Sequence, residues 1–206
     1  MVQPADDERA ERRRLRALRR SIPAARRAAA ERAIAARLRR LGCTRRGLRV
    51  AAYLAMPGEA SLARFIAAAT ASGVRLCVPR ISSRRRRRLE FVELVPGAGR
   101  RRGAYGIEEP AAHARRVRLR EIDVVLVPLV GFDRDGHRLG MGAGYYDRAL
   151  SPRRTPGRAY RRPRLLGIAY ACQELASIRP QPWDVALDAV VTERELIVPR
   201  AAARRR

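Results

Sequence analysis

Lysine is missing altogether from this chain, for all 46 basic residues are arginine, set against 20 acidic ones. Aromatic side chains are scarce at 5%, so a core has to be built mainly from Val, Leu, Ile and Ala. Only three cysteines occur, Cys43, Cys77 and Cys172, odd in number, far apart and without a C-x-x-C pair. That pattern indicates neither a disulfide framework nor a zinc site. The longest apolar run, around VVLVPLVGF, falls far short of the roughly 20 residues a membrane-spanning helix needs. The opening MVQPADDERAERRR is charged throughout and holds no apolar signal segment. A reduced, cytoplasmic setting away from membranes is the expectation.

The formal net charge is +26. Such an excess suits a phosphate-rich partner, nucleic acid above all. It also follows from a GC-rich coding bias, which raises arginine and alanine together. Lysine serves general phosphate attraction nearly as well as arginine, so its absence favours the coding bias. The arginine runs, Arg84 to Arg88 and Arg204 to Arg206, contain no Phe, Tyr or Trp, whereas single-strand binding depends on aromatic platforms. Both runs read as solvated. A basic RNA-binding protein without catalytic activity stands as the alternative reading.

At 206 residues the chain reads as a single α/β domain over 1–200 with a basic tail, 201–206, expected to be disordered. Residues 6–19 read as a charged helix. Ser21 reads as an N-cap and Pro23 as a first-turn residue of a second helix ending at Gly42. LRVAAYLA (48–55) is a short buried strand before the turn MPGE, and 61–73 a helix with a glycine stop. VRLCVPRI and LEFVEL pair across the arginine run. IDVVLVPLV (122–130) is the most apolar strand and therefore central. YYDRAL starts a helix, RLLGIAYA is a strand, ACQELA a helical turn and LDAVVTE a strand. TPGRAYRRP reads as a flexible linker. Strands alternating with helices predict a three-layer α/β fold with a mostly parallel sheet. In such a sheet ligands gather at the carboxyl ends of strands, which brings MPGE, the glycine loop after 130 and the TE pair (192–193) together.

That loop, GFDRDGHRLGMGAGYYDRAL (131–150), fits neither standard phosphate template. His137 and Arg138 stand where a Walker A loop has Lys and Ser/Thr, and G-x-G-x-x-G is broken by Gly144 and Tyr145. Its physics still suits an anion. Glycines 136, 140, 142 and 144 can take positive φ and turn backbone N–H groups to one point. The helix beginning near Tyr145 adds positive potential, and Arg138 adds a charged donor. Asp147 would repel a bare phosphate. Either it simply favours the helix start, or a magnesium ion bridges it to phosphate oxygens.

The loop resembles the signature of the 5-formyltetrahydrofolate cyclo-ligases (methenyltetrahydrofolate synthetases). RRRLRALRR resembles their K-x-x-L-R helix, YLAMPGEAS their substrate turn, YGIEEP their GI-x-EP segment and WDVALDAVVTE their HD-x-x-LD-x-VVTE segment, all in family order. The resemblance implies a single α/β domain and ATP-dependent closure of 5-formyltetrahydrofolate to 5,10-methenyltetrahydrofolate, with magnesium. The partner it implies is a reduced-folate small molecule, without an obligate protein partner. It assigns Arg12, Arg16, Arg138, Leu139, Gly140, Met141, Gly142, Ala143, Gly144, Tyr145 and Tyr146 to ATP. Leu54, Glu59 and Tyr145 face the folate, Asp147 and Asp188 hold magnesium, and Arg138 and Tyr145 take catalytic positions. Arg12 replaces the usual Lys, and Trp183 the usual His, so Trp183 receives no role. Met141 and Ala143 fall at variable loop positions, and His113 and His137 read as ordinary loop residues.

Overall fold

Helix-forming and β-branched stretches alternate along the chain. In the computed structural model, which describes residues 4–95, 100–102, 108–110, 114–154 and 163–200, they assemble around one eight-stranded sheet. Helices α1 (Pro4–Arg20) and α2 (Ala24–Arg40) come first. Then follow β1 (Arg49–Ala51), α3 (Ala63–Ala71) and the hairpin of β2 (Arg75–Ser83) with β3 (Arg88–Glu93). Short strands β4 (Arg100–Arg102) and β5 (Glu108–Pro110) pair with each other, and among the described residues with no other strand. β6 (Arg116–Val117) and the central β7 (Val124–Pro128) rejoin the main sheet. A small hairpin, β8 (Gly131–Phe132) with β9 (Arg138–Leu139), precedes α4 (Tyr145–Leu150). β10 (Arg164–Ile168), β11 (Ala189–Val191) and β12 (Leu196–Ile197) complete the order.

The sheet runs β12-β11-β10-β7-β1-β2-β3-β6. The five strands from β11 to β2 are parallel, and β12, β3 and β6 add antiparallel edges. The parallel strands are apolar on both faces, as burial on both sides demands. Val124, Leu126, Leu166 and Ile168 face one core with Ile34, Leu38 and Phe65 of α2 and α3. Val125, Val127 and Leu165 face the other with Leu150 of α4, Ile122 and Phe91. The three layers are therefore helices, sheet and helix.

Three local expectations change. Ser21 does not cap α2: its hydroxyl donates to Leu18 O at 2.8 Å, closing α1, while Pro23 holds the cap position. Helix α2 ends at Arg40 rather than Gly42. Gly42, at φ +77°, turns the chain so that Cys43 N–H reaches Leu38 O and its own N–H reaches Arg39 O. Strand β1 stops at Ala51, because the chain then bends into a turn tied by Tyr53 OH to Ala60 O at 2.7 Å. Arg84 to Arg88 are exposed, the first four in the β2–β3 turn. The tail 201–206, linker residues 155–162, residues 105–107 of YGIEEP and His113 lie outside the described residues. Among the described residues no helix is long and apolar enough to cross a membrane.

Candidate active site

Past the carboxyl end of β7 the glycine-rich segment divides into two devices. The first is the β8–β9 hairpin, organised by Asp133, which is only 1% exposed. Its Oδ1 accepts the N–H groups of Asp135 (3.0 Å) and His137 (2.9 Å); its Oδ2 accepts Ile178 N–H and lies 2.9 Å from His137 Nδ1. Gly136 turns this hairpin at φ +85°, and a Cβ there would meet Pro199 Cγ at 2.6 Å and Leu187 O at 2.9 Å. The second device is the loop 140–144. Gly142 (φ +91°) and Gly144 (φ +65°) are left-handed, but Gly140 is not. A four-glycine nest is therefore replaced by a two-glycine loop, with Gly136 serving the hairpin.

This loop walls a cavity of about 330 Å³. Tyr53, Leu54, Met56 and Glu59 line one side; Pro79, Ile81 and Leu89 form its apolar edge; Arg138, Gly140, Met141, Ala143, Gly144, Tyr145, Tyr146 and Asp147 form the other. Arg138 is nearly buried. Its guanidinium donates to Asp147 Oδ1 and to Val185 O, while Val185 N–H points to the same Asp147 oxygen at 3.4 Å. Burial lowers the Arg138 pKa, and Asp147 and Asp184 work against that. Opposite, the Glu59 carboxylate accepts Met56 N–H at 3.0 Å and closes the MPGE turn. Burial raises the Glu59 pKa, with Met56 N–H and Arg19 pulling it back. Burial likewise pushes the Tyr53 and Tyr146 hydroxyls up, so both stay neutral donors. A second, more open hollow of about 580 Å³, where the α1–α2 junction and α2 meet Tyr170, Cys172 and Glu193, contains none of the expected site residues.

Helix α1 ties the two walls. Leu15 is fully buried against Val130 and Leu139, and a Cβ on Gly131 would lie 2.7 Å from it, so glycine permits the close approach. Arg12 Nε donates to Gly140 O at 3.0 Å, and Arg12 also pairs with Glu8 at 2.7 Å. Seven residues on, about 10 Å along the helix, Arg19 reaches Leu129 O at 3.3 Å. It is 3% exposed, its Nε has no hydrogen-bond partner, and it lies under Gly58 of the MPGE turn. Arg16, half-buried, lies between them on the same face.

The model of the 5-formyltetrahydrofolate cyclo-ligase family matches residues 4–193. The chain belongs to that family. The cyclo-ligase of Haemophilus influenzae is 31% identical over 69% of this chain and 74% of its own length; that of Escherichia coli K12 is 33% identical over 69% and 76%. Among solved structures, the 5,10-methenyltetrahydrofolate synthetase of Aquifex aeolicus superposes with a TM-score of 0.77 at 27% identity, covering 94% of this chain and 93% of that one. The synthetase from Mycoplasma pneumoniae shares the fold with a TM-score of 0.71 over 91% and 99% at 24% identity. Membership makes this cyclo-ligase family chain an enzyme, a ligase whose family handles a small folate substrate.

The structure gathers most of the expected residues but not all. Leu54, Glu59, Arg138, Tyr145, Tyr146 and Asp147 meet in the cavity. Leu139 packs in the small core with Leu15 and does not line the cavity. Gly142 lies against Arg12 rather than on the cavity wall. Asp188 is elsewhere: it precedes β11 at the amino edge of the sheet, held by Arg153 at 2.9 and 3.0 Å and by Leu165 N–H at 2.7 Å. A shared metal between Asp147 and Asp188 is not what this placement offers. Among the described residues no cluster of three His, Cys, Asp or Glu could hold a metal unaided. Asp147 alone still fits magnesium, which commonly takes one or two protein carboxylates and draws other ligands from phosphate and water. Sequence reasoning missed Arg19, hidden among 46 arginines, although its spacing from Arg12 and Arg16 marks one helix face. It also missed Asp133, whose D-x-D-G context is a turn signal.

Proposed function

We propose that this cavity binds 5-formyltetrahydrofolate and ATP and closes the folate ring to 5,10-methenyltetrahydrofolate. The observation that carries the reading is the convergence of Glu59, two tyrosines and the Arg138–Asp147 pair on one cavity at the carboxyl ends of β1 and β7. In the reaction the formyl oxygen takes the γ-phosphoryl group, forming an O–P bond as the bond to the β-phosphate oxygen breaks and ADP leaves. N10 then attacks the activated formyl carbon and gives up its proton to solvent, and the C–O bond breaks as the former formyl oxygen departs in inorganic phosphate. No protein nucleophile is required, and catalysis reduces to holding the ligands and offsetting phosphate charge.

Each wall suits one part of that task. Glu59 faces the pterin as a hydrogen-bond acceptor for its ring N–H groups, and Leu54 packs against the ring. Arg138, Arg12 and Arg16 neutralise phosphate charge; Arg138 has five N–H donors, and the two bonds to Val185 and Asp147 leave scope for a phosphate oxygen. Gly144 and the loop backbone let phosphate approach closely. Tyr145 and Tyr146 flank the reacting groups. Asp147 is the carboxylate placed to hold magnesium, whose bound charge would neutralise the transferring phosphoryl oxygens. Asp188 is left out of this set. The test is to mix the chain with magnesium, ATP and 5-formyltetrahydrofolate and follow methenyl absorbance. ATP-dependent appearance of the product supports the reading, and its absence from folded protein refutes it.

A further inference from the structure

Trp183 is the chain's single tryptophan and is 60% exposed, more than Val95, Met141 or Leu18, the other exposed large apolar residues among those described. The backbone that carries it is nevertheless held. The turn Gln181–Asp184 closes through Asp184 N–H to Gln181 O at 2.9 Å and Gln181 N–H to the Asp184 carboxylate at 2.8 Å. One residue further, the backbone of Val185 clasps Arg138 and Asp147 from both its C=O and its N–H. Trp183 thus lies two residues before the backbone that holds the cavity's cationic group; it is not itself among the residues that line the cavity, and it packs into none of the cores. Met141, 45% exposed, rises from the glycine loop on the wall that carries that group.

Volume decides what such a residue can do. A cavity of about 330 Å³ is near the lower end for a single small-molecule ligand. A reduced folate and a nucleoside triphosphate cannot both be enclosed in it, so one ligand extends past the rim. The far wall, with Glu59, Tyr53 and Leu54, suits a flat hydrogen-bonding ring, and the phosphates belong beside Arg138. The part left outside is then the nucleoside, on the Arg138 side, where the turn that carries Trp183 leads into Val185. A planar π-face carried on a turn is the group that binds a heterocyclic base by stacking.

We propose that Trp183 is the stacking platform for the base of the bound nucleoside triphosphate. The assignment rests on reading the cavity as a nucleotide site. Stacking tolerates any base because every base has a π-face, so the platform contributes affinity rather than base choice.

The test uses the full chain and the fluorescence of this one tryptophan. Magnesium-ATP and magnesium-GTP should each quench or shift the emission saturably, and magnesium tripolyphosphate should not. Trp183→Ala should raise the KM for ATP about five- to a hundredfold, the range of one lost base stack, with a much smaller change in the KM for 5-formyltetrahydrofolate. Trp183→Phe should recover most of the loss. Emission unmoved by ATP while turnover proceeds, equal quenching by tripolyphosphate, or an unchanged KM for ATP in Trp183→Ala each overturns the proposal. If the wild-type chain makes no product, the cyclo-ligase reading fails, but the emission arms still decide whether a base stacks on Trp183.

Discussion

Two arginine–aspartate pairs sit at opposite edges of the same sheet, and they are held in different surroundings. Arg138–Asp147 lies at the carboxyl edge and lines the cavity; Arg153–Asp188 lies at the amino edge and does not. The amino-edge carboxylate takes both Arg153 nitrogens and also Leu165 N–H at 2.7 Å, so its oxygens are tied to the start of β10. Asp123 does the same beside it, accepting Arg49 N–H at 2.9 Å. The Asp147 carboxylate, by contrast, has a long 3.4 Å backbone contact as its second bond. The same two residue types thus form a staple where backbone donors close around the carboxylate, and a cavity-lining pair where a cavity opens beside it. Position on the sheet decides which.

The largest effect should come from breaking the carboxyl-edge pair on its cationic side. Arg138→Met removes charge from the wall proposed to hold phosphate and leaves Asp147 unbalanced. Steady-state kinetics should show kcat/KM for ATP falling about a hundred- to a thousandfold, the scale of losing one charge-stabilising donor. A loss under fivefold would return Arg138 to a purely structural role. Next comes the staple: Asp188→Asn should lower unfolding free energy by about 1–3 kcal/mol in urea denaturation, since Leu165 N–H and Arg153 lose their charged acceptor. Its folded fraction should keep kinetic constants near wild type. Unchanged stability would show that the amino edge is not held as described.

Glu59 sharpens the contrast between the walls. As a carboxylate whose folded pKa is raised by burial above its unfolded value, it lowers stability once the pH exceeds its unfolded pKa. Glu59→Gln should therefore stabilise the ligand-free chain at neutral pH, and the gain should fade as pH falls through the carboxylate range. The same variant should raise the folate KM and leave ATP affinity largely unchanged. Melting temperatures from pH 4 to 8 check the first statement, and a constant or inverted difference contradicts it. The smallest effect separates surface from core. Cys43 and Cys77 are buried, their thiols pushed up to about 11 and about 12, whereas Cys172 is exposed. A thiol reagent should modify Cys172 alone in the native chain; labelling of the other two would mean that the cores open.

Much of this was legible in the sequence because it depends on local pattern. The all-apolar β7, the hairpin across the arginine run and the helix after Gly144 follow from composition, period and glycine placement. Cap details were not legible, because Pro23 and Ser21 compete for one junction and only the observed backbone shows that Ser21 closes α1. In the site, Glu59, Arg138, Tyr145, Tyr146 and Asp147 came together as a parallel sheet requires. Asp188 did not, because Asp-188 and TE bracket the three residues of β11: the strand carries the chain from the amino edge to the carboxyl edge, and spacing alone does not tell which end faces the cavity. Arg19 was hidden by the uniform arginine background, since its burial under the MPGE turn depends on how α1 packs against the segments that follow β1 and β7.

The most direct test of the contrast between the edges is calorimetric binding of magnesium-ATP to Asp147→Asn and Asp188→Asn, each first shown to be folded. The affinity should drop about ten- to a hundredfold in Asp147→Asn, the scale of losing a supporting metal contact, and excess magnesium should restore part of it by mass action. Asp188→Asn should bind as the wild type does. Equal weakening in both variants, or weakening in Asp188→Asn alone, would contradict the division of labour between the two edges.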